Sequence, residues 1–254
     1  MSSRYDWKHG LAWGTLTEEN MQECAKGGIQ CVEFHQCPEI SSVRRWSENT
    51  GVTVWSRHLV FGRENIGHRT QERADETVEI YKKAIDEAAE AGATNVVVHP
   101  SGEPNEEEVR EERLLRSIDA FGKLVDFSKQ YGITVCCENL PRTCLCRDSA
   151  ECLRMVESVP GLKLCFDTNH LLKESHKDFI RKVGKYIQTT HVSDYDFVDE
   201  KHWFPLMGEG KIDWKTVIAE LEAVDYKGPF LYETGLPSDD FTLIPRTNQR
   251  LFAL

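Results

Sequence analysis

Short apolar runs alternate with amphipathic segments along most of the chain. The runs have the length of strands, and the segments between them repeat apolar residues at helical spacing. The predicted strands are Trp7–Trp13, Gln30–Phe34, Val52–Val60, Asn95–Val98, Ile133–Cys137, Lys163–Phe166, Tyr186–Thr190 and Pro229–Tyr232. Strands that alternate with helices in this way predict a parallel sheet with crossover helices.

The segments between the runs also carry helix start and stop signals. The predicted helices are Thr17–Gly27, Pro38–Asn49, Arg69–Ala91, Glu106–Gln130, Asp148–Glu157, Leu171–Val183, Asp213–Val224 and Phe241–Leu254. Eight strand–helix units without a linker or a low-complexity segment predict a single (β/α)₈ TIM barrel over residues 1–254. A doubly wound open α/β sheet is the alternative.

Several predicted strands end in a carboxylate or an imidazole. In a barrel, the groups at the carboxyl ends of the strands converge on one face, where barrel enzymes have their active sites. Residues far apart in sequence would therefore share one site. The strand-end residues are His58, His99, Glu138, Asp167, His191 and Glu233.

Four of these residues, Glu138, Asp167, His191 and Glu233, form a set suited to one divalent cation. Carboxylates crowded together repel one another and take up protons, and a bound cation removes that cost. An oxygen-rich set with one imidazole favours Mn²⁺ as the bound ion, with Mg²⁺ or Co²⁺ as alternatives. Zinc is selected more often by thiolate-rich sites. Zn²⁺ also remains compatible with imidazole and carboxylate ligands.

The net charge limits the kinds of binding partner, and the cysteine usage indicates the cellular compartment. The chain has 254 residues and a formal net charge of −11. This charge repels phosphates and anionic lipids, so we expect neither nucleic acid nor a membrane as a partner.

There is no signal-peptide pattern and no apolar run of about 20 residues. The nine cysteines lack a disulfide-rich spacing, which predicts a cytoplasmic setting. The sequence is compatible with a homo-oligomer.

Five motifs resemble the xylose-isomerase-like TIM barrel superfamily, and within it the sugar phosphate isomerase/epimerase type. This type includes ketose 3-epimerases, hydroxypyruvate isomerases and inosose dehydratases. The resemblance spans about residues 30–235. The motifs are CCENLP, CFDTNH, THVSD, MGEGKIDW and LYETG.

The resemblance implies a metal-dependent enzyme that acts on a small carbohydrate by proton transfer next to a carbonyl. It implies metal ligation by Glu138, Asp167, His191 and Glu233, with Glu138 and Glu233 also acting as the acid/base pair. His170 would contact a substrate oxygen. We expect His58, His99 and His202 to contact sugar hydroxyls or to orient the metal ligands.

Three further residues are candidates for the substrate pocket. Trp203 lies among polar residues in a long loop and could stack on a sugar ring, as could Trp13 at the end of the first strand. Packing in the core is an equal alternative for Trp13. Glu33 ends the second strand, where it would line the pocket or form a salt bridge.

Two positions depart from the ketose 3-epimerase pattern. These epimerases carry a glutamate six residues after the first ligand and an arginine six residues after the histidine ligand. Cys144 and Phe197 stand there in this chain. A ring-shaped or phosphorylated sugar or a keto acid is therefore equally compatible with the sequence.

Other functions remain open at this point. One is an inosose-type dehydratase, and another is a barrel that binds sugar and metal without turnover. A third is an apurinic-endonuclease-like zinc phosphodiesterase, because His58, His99, His170, Glu200 and His202 partly reproduce the extra ligands of such enzymes. The acidic net charge disfavours this third alternative.

Overall fold

The computed structural model describes residues 7–63, 65–196, 201–204, 210–236 and 239–253, with only the backbone described for 201–204. Eight parallel strands form the main sheet, in the order β10-β1-β2-β3-β4-β5-β6-β7. Two further strands, β8 and β9, pair antiparallel as a hairpin. The strands are β1 His9–Thr15, β2 Cys31–Gln36, β3 Thr53–His58, β4 Asn95–Val98, β5 Thr134–Glu138, β6 Lys163–Asp167, β7 Ile187–His191, β8 Asp194–Asp196, β9 Lys201–Phe204 and β10 Phe230–Tyr232.

Backbone hydrogen bonds between the two ends of the sheet close the barrel. Val192, just after β7, donates its N–H to the carbonyl of Leu231 at 2.8 Å, and Glu233 donates its N–H to the carbonyl of Val192 at 3.2 Å. A doubly wound sheet has two free edges, so this closure excludes the alternative and confirms the predicted TIM barrel.

The crossover helices surround the barrel and begin at sequence-encoded caps. The side chains of Thr17, Thr70, Asp148 and Ser175 each accept a backbone N–H in the first turn of the following helix. The helices are α1 Glu18–Gly27, α2 Ile40–Thr50, α3 Gln71–Ala91, α4 Glu107–Ser128, α5 Ser149–Ser158, α6 His176–Val183, α7 Trp214–Ala223 and α8 Leu243–Leu251.

Several elements differ from the predicted ones. Strand β1 begins at His9 instead of Trp7, because Trp7 packs below the barrel and donates its indole N–H to the carbonyl of Tyr226 at 2.7 Å. Helix α6 begins at His176 instead of Leu171, after the Ser175 cap. The hairpin of β8 and β9 lies within a segment that the apolar pattern predicts as a loop.

A small layer of side chains fills the barrel beneath its carboxyl-terminal face. Val97, Cys136 and Cys165 are fully buried and form a cluster separate from the main core. Alternate residues of a strand point to the same side, so the residues two positions later also point inward. Those residues are His99, Glu138 and Asp167.

All nine cysteines are free thiols. Among the described helices, none combines the length and the apolar character needed to cross a membrane.

Candidate metal centre

The side chain of Asn139 aligns the ends of strands β5 and β6. Its Nδ2 donates to the carbonyl of Asp167 at 3.0 Å, and its Oδ1 accepts the N–H of Asp167 at 2.8 Å. The side-chain amide makes the hydrogen bonds that a neighbouring strand would otherwise make, at the point where the two backbones separate. It fixes the neighbouring carboxylates of Glu138 and Asp167 relative to each other.

The four predicted ligands meet at one point. One ligand atom from each of Glu138, Asp167, His191 and Glu233 lies within 4.8 Å of the other three. His191 Nδ1 lies 3.4 Å from an oxygen of Glu138 and 3.3 Å from an oxygen of Glu233. The structure therefore brings together all four residues that the sequence assigns to the cation.

Two unpartnered atoms show that this cluster fits a cation. Asp167 Oδ1 accepts the backbone N–H groups of Asn169 and His170 at 2.7 and 3.2 Å. Its other oxygen, Oδ2, is buried and has no hydrogen-bond partner in the described part of the chain, and the same is true of His191 Nδ1. Buried polar atoms without a hydrogen bond are costly, and a divalent ion that displaces the proton on His191 would satisfy both.

The acidity of Asp167 also fits a site for a cation. Burial is the main cause that raises the pKa of this carboxyl, to about 7, and the nearby carboxylates of Glu233 and Glu138 raise it further against the opposing charge of His170. A bound cation would return the group to its ionised form.

Glu33 lies behind His191, on the side away from the cavity. Its Oε1 is 2.8 Å from His191 Nε2, and Ser56 donates its hydroxyl to Oε2 at 2.6 Å. Burial alone would raise the pKa of Glu33, but the charge and contact of His191 lower it. Glu33 is fully buried and is not among the residues that line the cavity, so the structure shows the salt-bridge alternative, and a contact with substrate stays a prediction. A carboxylate at this distance from the far ring nitrogen would orient His191 if the near nitrogen binds a metal ion.

We expect Glu33→Gln to weaken Mn²⁺ binding by about 10- to 100-fold, because the neutral amide no longer holds the His191 ring by charge. Calorimetric titration of the metal-free variants measures this. Ser56→Ala is the control, since it removes one hydrogen bond to Glu33 and keeps the charge. Equal affinity in Glu33→Gln and the unmodified protein would contradict this role.

Two more histidines contact the outer oxygen of Glu138. His58 Nε2 and His99 Nε2 each lie 3.1 Å from Glu138 Oε2. His58 Nδ1 lies 2.8 Å from the carbonyl of Leu59, which fixes the Nδ1 proton there. His58, Glu138 and His191 also form a second group whose ligand atoms lie within 4.8 Å of one another.

His170 faces the same carboxylates from the loop after β6. Its Nδ1 lies 3.1 Å from the carbonyl of Asn139, 3.3 Å from Glu138 Oε1 and 3.4 Å from Asp167 Oδ2. Burial lowers its pKa, but the charges of Asp167 and Glu138 outweigh this and raise the pKa to about 9. The ring is therefore a proton donor at neutral pH in the metal-free protein.

A cavity of about 290 Å³ opens above the cluster. One wall is apolar, because the ring of Phe61 stacks on His99 with their centroids 4.5 Å apart. Phe61 is 51% exposed, so it presents an aromatic face at the mouth. The sequence pattern gave no signal for Phe61, which follows β3 in an irregular loop. The predicted residues that line this cavity are His58, His99, Glu138, His170 and Glu233.

Trp13 occupies a second cleft, which it lines together with His35 and Glu233. Its ring centroid lies 5.7 Å from that of Phe241, and its Nε1 donates to Cys24 Sγ at 3.4 Å. The residue thus packs on the barrel's outer layer while it borders the cleft, so stacking on a substrate stays a prediction. His202 and Trp203 belong to β9, where the side chains lie outside the described residues.

Fold and site together define a (β/α)₈ barrel protein with a buried cluster of carboxylates and imidazoles at the carboxyl-terminal face of its strands. Over residues 21–249 the sequence matches the family described as xylose isomerase-like TIM barrel, and the chain belongs to this family. This match confirms that the strand-end motifs resemble those of the xylose-isomerase-like TIM barrel superfamily.

Individual relatives are similar over nearly the whole chain. A ketose 3-epimerase of Arthrobacter globiformis is 24% identical over 245 residues, which cover 89% of this chain and 82% of the relative. The solved structure of a D-tagatose 3-epimerase-like protein has a TM-score of 0.82 at 22% identity and covers 97% of both chains. An L-ribulose 3-epimerase structure has a TM-score of 0.78 at 19% identity and covers 98% of this chain and 86% of its own. At such identities the structures establish the shared fold.

Proposed function

We propose that the protein is a divalent-metal-dependent sugar isomerase or epimerase that acts by proton transfer next to a carbonyl. The observation that supports this most is the meeting of two glutamates, Glu138 and Glu233, at the same ring nitrogen of His191 in a four-ligand cluster. The similarity to ketose 3-epimerases favours a ketose as substrate. Mn²⁺ is the proposed ion, with Mg²⁺, Co²⁺ and Zn²⁺ as alternatives.

In this proposal Glu138 and Glu233 are the acid/base pair. Both carboxylates have lowered pKa values against the effect of burial, chiefly because of the charge of His191, and that of Glu233 lies at about 2. Both are therefore ionised and able to accept a proton at neutral pH. The metal ion, when bound, would polarise the carbonyl and stabilise the enediolate that forms on proton removal.

The other side chains position the substrate and the pair. His170 would donate a hydrogen bond to a substrate oxygen, since its ring borders the cavity. His58 and His99 hold the outer oxygen of Glu138, which leaves its inner oxygen toward the cluster. Phe61 would cover the apolar face of the sugar and exclude water from the reacting carbon.

Solvent-isotope exchange tests the proposed function. The Mn²⁺-loaded protein in D₂O is expected to introduce deuterium at the carbon next to the carbonyl of a ketose, as seen by proton NMR and mass spectrometry. A dehydratase would instead release a product lighter by one water. If no ketose or related polyol exchanges or loses water while the metal is bound, the proposed reaction is contradicted.

The zinc phosphodiesterase is the second candidate, and one observation favours it. The group of His58, Glu138 and His191 is a position for a further ion beside the first. Elemental analysis separates the two functions, since one ion per chain fits the isomerase and two or three zinc ions fit the phosphodiesterase. Cleavage of abasic DNA would then be expected.

A further inference from the structure

An ion pair crosses the outer part of the cavity. Glu103 lies in the loop after β4, and Arg142 lies in the loop after β5; both line the cavity above the metal centre. Arg142 donates to Glu103 Oε2 from Nε at 3.1 Å and from Nη2 at 2.5 Å. Glu103 also accepts the N–H and the hydroxyl of Thr143 at 3.2 and 2.9 Å. The carboxylate is thus fully occupied and joins the two loops.

Arg142 has a backbone conformation that side-chain-bearing residues rarely adopt. Its φ is 52°, in the left-handed region. The loop is held there by Arg110, which donates to the carbonyls of Thr143 and Cys144 at 2.8 and 2.6 Å and pairs with Glu151 at 2.6 Å. Strained residues that the surrounding structure holds in place occur preferentially at functional sites.

One nitrogen of the Arg142 guanidinium remains available to hydrogen-bond a ligand. Its Nε and Nη2 bind Glu103, while Nη1 donates no hydrogen bond within the described part of the chain. Arg142 is also the single lysine or arginine among the described residues that line this cavity. A ligand group in the outer cavity would therefore find one directed donor.

The charge around this donor disfavours an anion. Burial would raise the pKa of Glu103, but hydrogen bonds from Arg142 and Thr143 lower it, so the pair is neutral in sum. Glu138 and Glu233 line the same cavity. A phosphate at the outer end of the cavity would find Arg142 already paired with Glu103 and no second lysine or arginine among the described lining residues, whereas a hydroxyl only needs the Nη1 donor.

We propose that Arg142 is a specificity-determining residue that binds the hydroxyls of an uncharged ketose at the end remote from the metal. This inference rests on the proposed function and names its substrate class. Cys144, which replaces a glutamate of the ketose 3-epimerases, borders the same part of the cavity.

Substrate length tests this proposal. The ratio of kcat/KM for an uncharged ketohexose to that for a ketotetrose is measured in the Mn²⁺-loaded protein. Arg142→Gly is expected to lower this ratio about 10-fold, because only the longer sugar reaches the guanidinium. Its Tm is expected to be unchanged or higher, because glycine adopts this φ without strain.

A matched control exists at the far side of the molecule. Asp225 follows α7 and has a φ of 58°, so Asp225→Gly relieves a similar strain outside the cavity. It should leave the ratio unchanged. Glu103→Gln is a second variant that keeps the size of the side chain and removes the negative charge, although its amide nitrogen cannot accept the hydrogen bonds that one of the two carboxylate oxygens accepts. It is expected to improve turnover of a ketohexose phosphate relative to the free ketohexose.

The outcomes separate this inference from the function on which it rests. An equal loss for both sugars in Arg142→Gly, or none, would overturn the role of Arg142. A preference of the unmodified protein for the phosphorylated ketose would overturn the uncharged class. If the unmodified protein turned over no ketose of either class, the proposed function itself would fail, and this inference with it.

Discussion

Glu138→Gln is expected to lower ketose turnover about 1,000-fold at saturating Mn²⁺, and Glu233→Gln is expected to do the same. Removing a positioned acid or base costs about 10²- to 10⁴-fold, because no other group then accepts the proton from carbon. Glutamine keeps the shape of the side chain and an oxygen that can bind the ion. Steady-state rates measured together with metal content per chain check this result.

The two variants should differ in which epimer they still activate. Each glutamate would act on one face of the bound sugar, so the epimer whose C–H faces the remaining glutamate still exchanges its proton with D₂O. Glu138→Gln and Glu233→Gln are therefore expected to show exchange into opposite epimers. Exchange lost from the same epimer in both variants would indicate a single base and contradict the proposed pair.

Glu33→Gln is the matched control for charge. It also neutralises a buried carboxylate beside His191, but Glu33 has no surface toward the cavity. At saturating metal we expect its turnover to stay within about tenfold of the unmodified protein. A 1,000-fold loss here would show that the effect of Glu138→Gln arises from the charge of the cluster and not from proton transfer.

The strand-end residues could be found in the sequence because a parallel barrel turns a local pattern into a common site. Glu138 and Asp167 each end an apolar run, and each lies two residues after a small buried cysteine that points into the barrel. The two-residue period of a strand then fixes their direction. The direction of a strand-end residue can therefore be predicted from its own strand, without knowledge of the other strands.

The residues that support the site could not be found in this way. Glu33 acts through His191, which follows it by 158 positions, so their contact depends on the whole fold. Asn139 directly follows a ligand, but its role as a bridge between strands depends on the separation of β5 and β6. Arg142 stands out only through its φ and its cavity position, and the sequence shows neither.

At the start of helix α6, a hydrogen-bonded turn and a helix cap determine where the helix begins, against the start that the apolar pattern predicts. Leu171 is buried and favours an early helix start. Asp167 instead accepts the N–H groups of Asn169 and His170, which turns the chain back across the strand ends before Ser175 caps the helix. Short side-chain acceptors produce such turns. The turn places His170 beside the metal centre.

Removal of the metal ion is expected to reduce turnover to the uncatalysed level, and Mn²⁺ uptake by the stripped protein should strengthen as the pH rises. In the metal-free protein the pKa of Asp167 lies at about 7, mainly because of burial. The pKa of His191 is raised well above its ordinary value; burial opposes this, but the charges of the Glu33, Glu233 and Glu138 carboxylates outweigh it. Both groups bind the ion only after they lose a proton.

The sign and size of this pH dependence follow from the two protons. Each displaced proton weakens binding about tenfold per pH unit below the pKa of its group. Asp167, with a pKa of about 7, accounts for about a tenfold loss of affinity between pH 8 and pH 6, and proton binding by His191, whose pKa is also raised, adds to this loss. Calorimetric titrations in buffers of different ionisation enthalpy measure both affinity and proton release.

Asp167→Asn separates the two contributions. The variant lacks the group that titrates near pH 7, so its weaker Mn²⁺ binding should not steepen below that pH. The gain in Tm on adding Mn²⁺ should likewise be larger at pH 8 than at pH 6 in the unmodified protein, because stabilisation by a ligand grows with its affinity. Affinity that is independent of pH, with no proton release, would contradict the assignment of Asp167 and His191 as ligands. Those two residues contribute the unpartnered buried atoms of the cluster, so the titration directly tests why those atoms remain without a hydrogen bond.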